Sequence, residues 1–206
     1  MYNENNEVFK SLFMDKSKYY KEIVNLLCEK KSGYEVTELL TLLNTTNRVR
    51  LVDSLDDLEM CGFIIGMGKF GNNKKNMRYI ISDAQSLFHY KWIKELSKND
   101  ILNLKKNYWS SIVSQHQYAV WRGFAFEMVC IVNIDLYTKA REMHGVSEGA
   151  YYWSYQQGNS DKKTGSSNNA QGTQIDIVVE YTGGSYDIVE CKYYNPKLCN
   201  SETLSQ

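Results

Sequence analysis

Near the C-terminal end of the chain, two strand-patterned runs flank a glycine turn, and this feature restricts the fold more than any other. Gln174-Ile175-Asp176-Ile177-Val178-Val179 is rich in β-branched residues, as a strand requires. Tyr181-Thr182-Gly183-Gly184-Ser185 has hairpin-turn chemistry. Asp187-Ile188-Val189-Glu190-Cys191-Lys192-Tyr193 reads as the return strand. Side chains alternate faces along a strand, so Glu190 and Lys192 share one face, which Ile188 extends, and Cys191 points to the other. A turn centred on the two glycines sets Asp176 across from residues 190 to 192. Cross-strand neighbours there have Cβ atoms about 4.5–5.5 Å apart. A small adjustment of register brings Asp176, Glu190 and Lys192 into one cluster.

These residue types suit one chemistry. Two carboxylates with water make a hard oxygen site for Mg²⁺ or Mn²⁺. Such an ion polarises a phosphodiester oxygen and acidifies water. The lysine stabilises developing negative charge. A solvated strand face often gives D-x(n)-E-x-K, so the specificity comes from the strand–turn–strand setting. Upstream, residues 123–134 read GFAFEMVCIVNI, with Glu127 the only charge of that run. Phe124, Ile131 and Ile134 fall on its face of a helix. A carboxylate among apolar neighbours is costly unless a cation or hydrogen bonds compensate it. Arg122 or another partner would satisfy it as a structural residue; convergence on the strand pair would make it part of the site.

The first half has a different pattern. Tyr20, Ile23, Val24 and Leu27 have the i, i+3, i+4, i+7 spacing of an amphipathic helix, closed by Lys30-Lys31-Ser32-Gly33. Val36, Leu39, Leu40 and Leu43 repeat that spacing. Asn44-Thr45-Thr46-Asn47 is a capping turn, and Leu51, Leu55 and Leu58 mark a third helix that Gly62 stops. Phe63-Ile64-Ile65 and Met77 to Ile81 read as strands around a Gly/Asn/Lys loop, Gly66 to Asn76. Three helices and a two-stranded wing predict a winged helix-turn-helix over residues 1–95, including an N-terminal extension. Residues 96–107 read as a charged helical connector.

Gly66, Gly68 and Gly71 spell GxGxxG, but the chain then enters Asn72-Asn73-Lys74-Lys75-Asn76 and another strand. A dinucleotide site would need a helix there. DNA contact would fall to Arg48 and Arg50 at the third helix and to Lys69, Lys74, Lys75 and Arg78 in the wing. Asp53, Asp56, Asp57 and Glu59 follow the two arginines and would repel phosphates, which favours a protein-contact or spacer role for that helix. The balance of 24 basic and 24 acidic residues leaves nucleic-acid contact to a local patch. His89, His116 and His144 are too scattered for a ligand set. Five cysteines without CxxC spacing, an N-terminus lacking an apolar signal core and no long apolar run point to a cytoplasmic chain with reduced thiols and no membrane span. Residues 160–172 are polar and aperiodic, a loop entering the Asp176 strand.

SLFMDKSKYYKEIVNLL, MRYIISDAQSLFHYKW, WRGFAFEMVCIVNIDLYTKA, GTQIDIVV and IVECKYYN occur in this order. Together they resemble the C-terminal half of prokaryotic AAA-type ATPases, in which a winged helix precedes a PD-(D/E)XK restriction-endonuclease-like domain. The resemblance covers nearly the whole chain. It implies an α+β protein with a nuclease-like domain over 108–206. Asp176 and Glu190 would be metal ligands, Lys192 the catalytic lysine, Glu127 the helix carboxylate and Gln174 a site-adjacent polar residue. No GxxxxGK[ST] occurs, so no ATP site is expected in this chain. The family's core also continues past the E-x-K strand with a helix and strand, for which the stretch after Lys192 is short. The implied function is metal-dependent cleavage of DNA in association with an ATPase. The alternatives are a non-catalytic DNA- or protein-binding module of such an ATPase, or a truncated product without an independent role.

Overall fold

The computed structural model describes residues 4–71, 77–97, 99–100, 108–155 and 173–194. They form an α+β arrangement with two three-stranded antiparallel sheets. Lys74 and Lys75, the loop 160–172, Cys199 and most of the connector 96–107 lie outside the described residues. Among the described residues no helix is long and apolar enough to cross a membrane.

Helix α1 (Glu4–Phe13) leads through a 3-10 turn into α2 (Ser17–Glu29), whose stripe Tyr20, Ile23, Val24 and Leu27 is buried as its spacing predicts. Gly33 follows at φ +64°, and a Cβ there would lie 2.2 Å from the Tyr79 carbonyl oxygen. The chain can therefore pass under its neighbouring strand at that point without a side chain and nowhere near it with one. Strand β1 (Tyr34–Glu35) ends in a capping box, Glu35 with Glu38, that starts α3 (Val36–Leu42). Helix α4 (Arg48–Met60) begins at Asn47, whose side chain accepts from the Arg50 amide at 3.0 Å. Leu51, Leu55 and Leu58 of α4 are fully buried. Strands β2 (Ile64–Met67) and β3 (Arg78–Ile81) complete a sheet of order β1-β3-β2. Helix α5 (Ala84–Phe88), capped by Asp83, runs on into a π-helical turn, His89–Ile93.

The second half starts with α6 (Tyr108–Val113) and the long α7 (His116–Val132), followed by α8 (Ile134–Ala140). Strands β4 (Ser147–Tyr155), β5 (Thr173–Tyr181) and β6 (Ser185–Val189) form the second sheet, in the order β4-β5-β6. Gly183 and Gly184 take φ +89° and +79° in the β5–β6 turn, which needs the left-handed conformation predicted for it. Helix α7 joins the halves. Its Trp121, Phe124 and Met128 pack on the core of the first half, and Ile131, one turn on, packs with Ile177, Val179, Tyr181, Met67 and Ile80.

Three expectations need correction. The helix expected over 123–134 stops at Val132. Asn133 turns its side-chain amide back onto the Val129 carbonyl at 2.9 Å, and Ile134 begins a separate helix, so Ile134 does not extend the Glu127 face as one continuous stripe. The return strand expected over 187–193 ends at Val189. There the Cys191 amide leaves the ladder and donates to the Asp176 carboxylate instead. The loop expected from Gly66 also begins later, because β2 includes Gly66 and Met67. Beyond it, Tyr152 of β4 exchanges hydrogen bonds with this segment, donating to Gly68 and accepting from Phe70. The base of the expected wing is thus sewn to the second sheet. The next described element after the GxGxxG run is strand β3.

Candidate functional site

Glu127 projects from α7 between the two hydrophobic clusters, and its side chain is only 8% exposed. Its partner is Lys31, which forms an ion pair with Oε2. The Lys31 ammonium also lies 3.9 Å from Oδ1 of Asp176, whose side chain is 10% exposed on β5. Oδ2 of Asp176 accepts from the Cys191 amide at 2.9 Å. The sheet register pairs Ile177 with Val189, so the next position along sets Asp176 opposite Glu190. Glu190 and Lys192 form an ion pair with each other on the solvent side, both half-exposed. The arrangement has an inner layer, Glu127–Lys31–Asp176, and an outer one, Glu190–Lys192.

The electrostatics follow from this layering. Burial holds the Glu127 carboxyl above its ordinary pKa, the Lys31 contact opposes that shift, and the charges of Asp176 and Glu190 add to it. The Glu190 hydrogen bond raises Lys192, which stays a cation at neutral pH. Cys191, packed against Cys130 on the inner side, is pushed up to about 12 chiefly by burial, so it is an inert thiol. Gln174 lines a cavity of about 40 Å³ with Lys31, Glu127 and Asp176. On the other side of Lys31 and Glu127 opens a cleft of about 600 Å³, which Lys192, Tyr193, His116 and Trp121 also line.

Glu127 and Asp176 are therefore brought together by a residue that sequence reasoning placed only at a helix end. Lys31 is separated from Glu127 by a long stretch of chain, and no local spacing marks such a pair. Arg122, the other partner considered for Glu127, instead stacks its guanidinium on Tyr193 at 4.3 Å. Among the described residues no group of three or more His, Cys, Asp or Glu side chains is placed to hold a metal. Glu127, Asp176 and Gln174 line one cavity, and two carboxylates are the number through which Mg²⁺ can be bound while it keeps several waters.

No described protein family, curated protein or solved structure matches this chain.

The basic residues expected at a nucleic-acid surface are scattered in their engagements. Arg48 is exposed at the start of α4, and Arg50 stacks on Tyr19 at 4.3 Å. Arg78 is mostly buried, 3.7 Å from Glu35 and within 3.4 Å of the Ser32 carbonyl, so its charge is spent internally. Lys69 lies half-buried beside β4. Two of the four α4 acids are also engaged: Asp57 accepts from the Tyr20 hydroxyl at 2.6 Å, and Glu59 from the Gly66 amide at 2.7 Å.

Proposed function

We propose that this chain is a divalent-metal-dependent nuclease module that cleaves DNA phosphodiester bonds. Residues 1–95 act as a winged helix, 96–107 as a connector and 108–206 as a restriction-endonuclease-like domain working in the cytoplasm with an AAA-type ATPase. One observation carries the reading: two nearly buried carboxylates, Glu127 and Asp176, face each other around a single ammonium group. Burying two like charges is expensive, and such groups cluster at sites where an ion or a substrate uses them.

In this reading Glu127 and Asp176 hold Mg²⁺ or Mn²⁺, with Gln174 beside them. The bound ion would supply Lewis-acid polarisation of the phosphodiester. Lys192 stands exposed at the mouth of the cleft and stabilises the negative charge that grows as phosphorus becomes five-coordinate. Glu190 keeps that ammonium charged and oriented through their ion pair. The Cys191 amide fixes Asp176 relative to both. Plasmid cleavage with Mg²⁺ or Mn²⁺ tests this. Lys192→Ala should lower the rate by about a hundredfold or more, the usual cost of losing one charge-stabilising donor. Absence of metal-dependent cutting by the wild-type chain overturns the proposal.

The Lys31–Glu127 pair favours a second reading, in which the buried acid is structural and the chain is a non-catalytic module binding DNA or the ATPase. A flat Mn²⁺ titration of the folded chain supports it, and metal-dependent turnover rejects it.

A further inference from the structure

We infer that Lys31 is the resident counter-ion of the Glu127–Asp176 pair, and that a divalent cation binds there by displacing the Lys31 ammonium into the adjoining cleft. This rests on the proposed metal site and describes how that site is switched on.

The first argument is charge. Two carboxylates, 8% and 10% exposed, share one ammonium; Arg78 also lines their cavity but is paired with Glu35, so the two acids keep a net negative charge almost out of water. A dipositive ion neutralises the pair where one lysine cannot. The second is geometry. Lys31 is in contact with Glu127 but 3.9 Å from Asp176, beyond hydrogen-bonding distance, so its compensation is lopsided. Asp176 fills the deficit on its other oxygen with the Cys191 amide.

The third is room to move. Lys31 borders both the 40 Å³ cavity and the 600 Å³ cleft, and its side chain is 47% exposed. A lysine is a flexible four-carbon stem with a compact charge, so rotamer changes alone carry the ammonium from one side to the other. The backbone need not move, because the turn that carries Lys31 is closed by the Gly33 amide donating to the Lys30 carbonyl at 2.9 Å. The small cavity exceeds the roughly 10–15 Å³ that one water needs, so an ion and a water have room beside the two carboxylates once the ammonium swings away. Once in the cleft, Lys31 joins Lys192 on a common wall. With Lys91, three ammonium groups then line the space a phosphate would enter. The same side chain therefore masks the acids before metal binds and faces the substrate's charge afterwards.

Two measurements on the full chain, with Mn²⁺ alone as the probe, test this. In the wild type, saturating Mn²⁺ should raise acylation of Lys31 by an amine-reactive reagent several-fold relative to exposed Lys18, read by mass spectrometry. In calorimetry, Lys31→Met should bind Mn²⁺ about tenfold more tightly than wild type, since the competing charge is gone. Adding Asp176→Asn should abolish that binding. Equal Mn²⁺ affinity in wild type and Lys31→Met, still dependent on Asp176, overturns the displacement and leaves the metal site standing. No Mn²⁺ binding by either protein overturns both. Should Lys31→Met fail to fold, the wild-type acylation decides alone: a rate unchanged by Mn²⁺ overturns the inference.

Discussion

Phe9, Ile23, Leu27, Leu39, Leu51, Leu55 and Leu58 are all completely buried, and all belong to the first half; the second half buries Ile177 and Val179 as fully but closes its sheet around a polar clamp. In that clamp Asp187 on β6 accepts from the Tyr137 hydroxyl at 3.0 Å, the Tyr181 hydroxyl at 2.8 Å and the Arg141 guanidinium at 3.3 Å. Tyr181 is itself 2% exposed, so its hydroxyl needs this partner. One half is thus held mainly by non-directional burial, which periodicity records. The other leans on a few directional contacts, which composition does not record, and its stability answers to pH.

The sharpest way to break this contrast is to cut into each half in turn, following urea unfolding. Leu55→Ala should cost the most, about 3 kcal/mol, as a cavity in a packed core does. Asp187→Ala should cost about 2 kcal/mol, because several hydrogen bonds to a charged acceptor are lost and a buried hydroxyl is orphaned. That second effect has a pH signature. The Tyr181 hydrogen bond, helped by Tyr137 and Arg141 against the cost of burial, holds Asp187 below its ordinary carboxylate pKa. Its stabilisation is therefore present above the unfolded pKa of about 4 and disappears as pH falls through the lower folded value. The gap between wild type and Asp187→Ala should close in acid, while the Leu55→Ala gap should not follow that titration. The smallest change belongs to Ile188→Ser on the open face of β6, where the side chain is 62% exposed. It should stay within about 0.5 kcal/mol. A much larger loss would mean that the second half owes its stability to apolar burial after all.

The two halves were also unequally legible. The stripes Tyr20-Ile23-Val24-Leu27 and Leu51-Leu55-Leu58 are buried where helical spacing puts them, because an amphipathic helix carries its packing instruction locally. The β5–β6 hairpin was readable for the same reason, through alternation and two glycines. Helix α1 was not: an Asn- and Glu-rich opening hides the fully buried Phe9, whose ring meets Phe63 at 4.7 Å. Strand β4 was unmarked as well, although it is the longest partner of β5. Of the candidate site, the residue types and their approximate opposition could be read. The sequence did not show that Asp176 and Glu127 would share Lys31, nor that Glu190 would turn outward to Lys192. Both depend on which surfaces meet in three dimensions, and a spacing rule reaches only along one element.

The amide that clasps Asp176 is contributed by the main chain of residue 191, and its thiol side chain takes no part in that bond. Every amino acid except proline offers an equivalent N–H at such a place. Evolution is accordingly free to exchange the cysteine, tuning the packing behind the sheet, without loosening the strand-to-strand fastening beside it. Only an imino acid is barred.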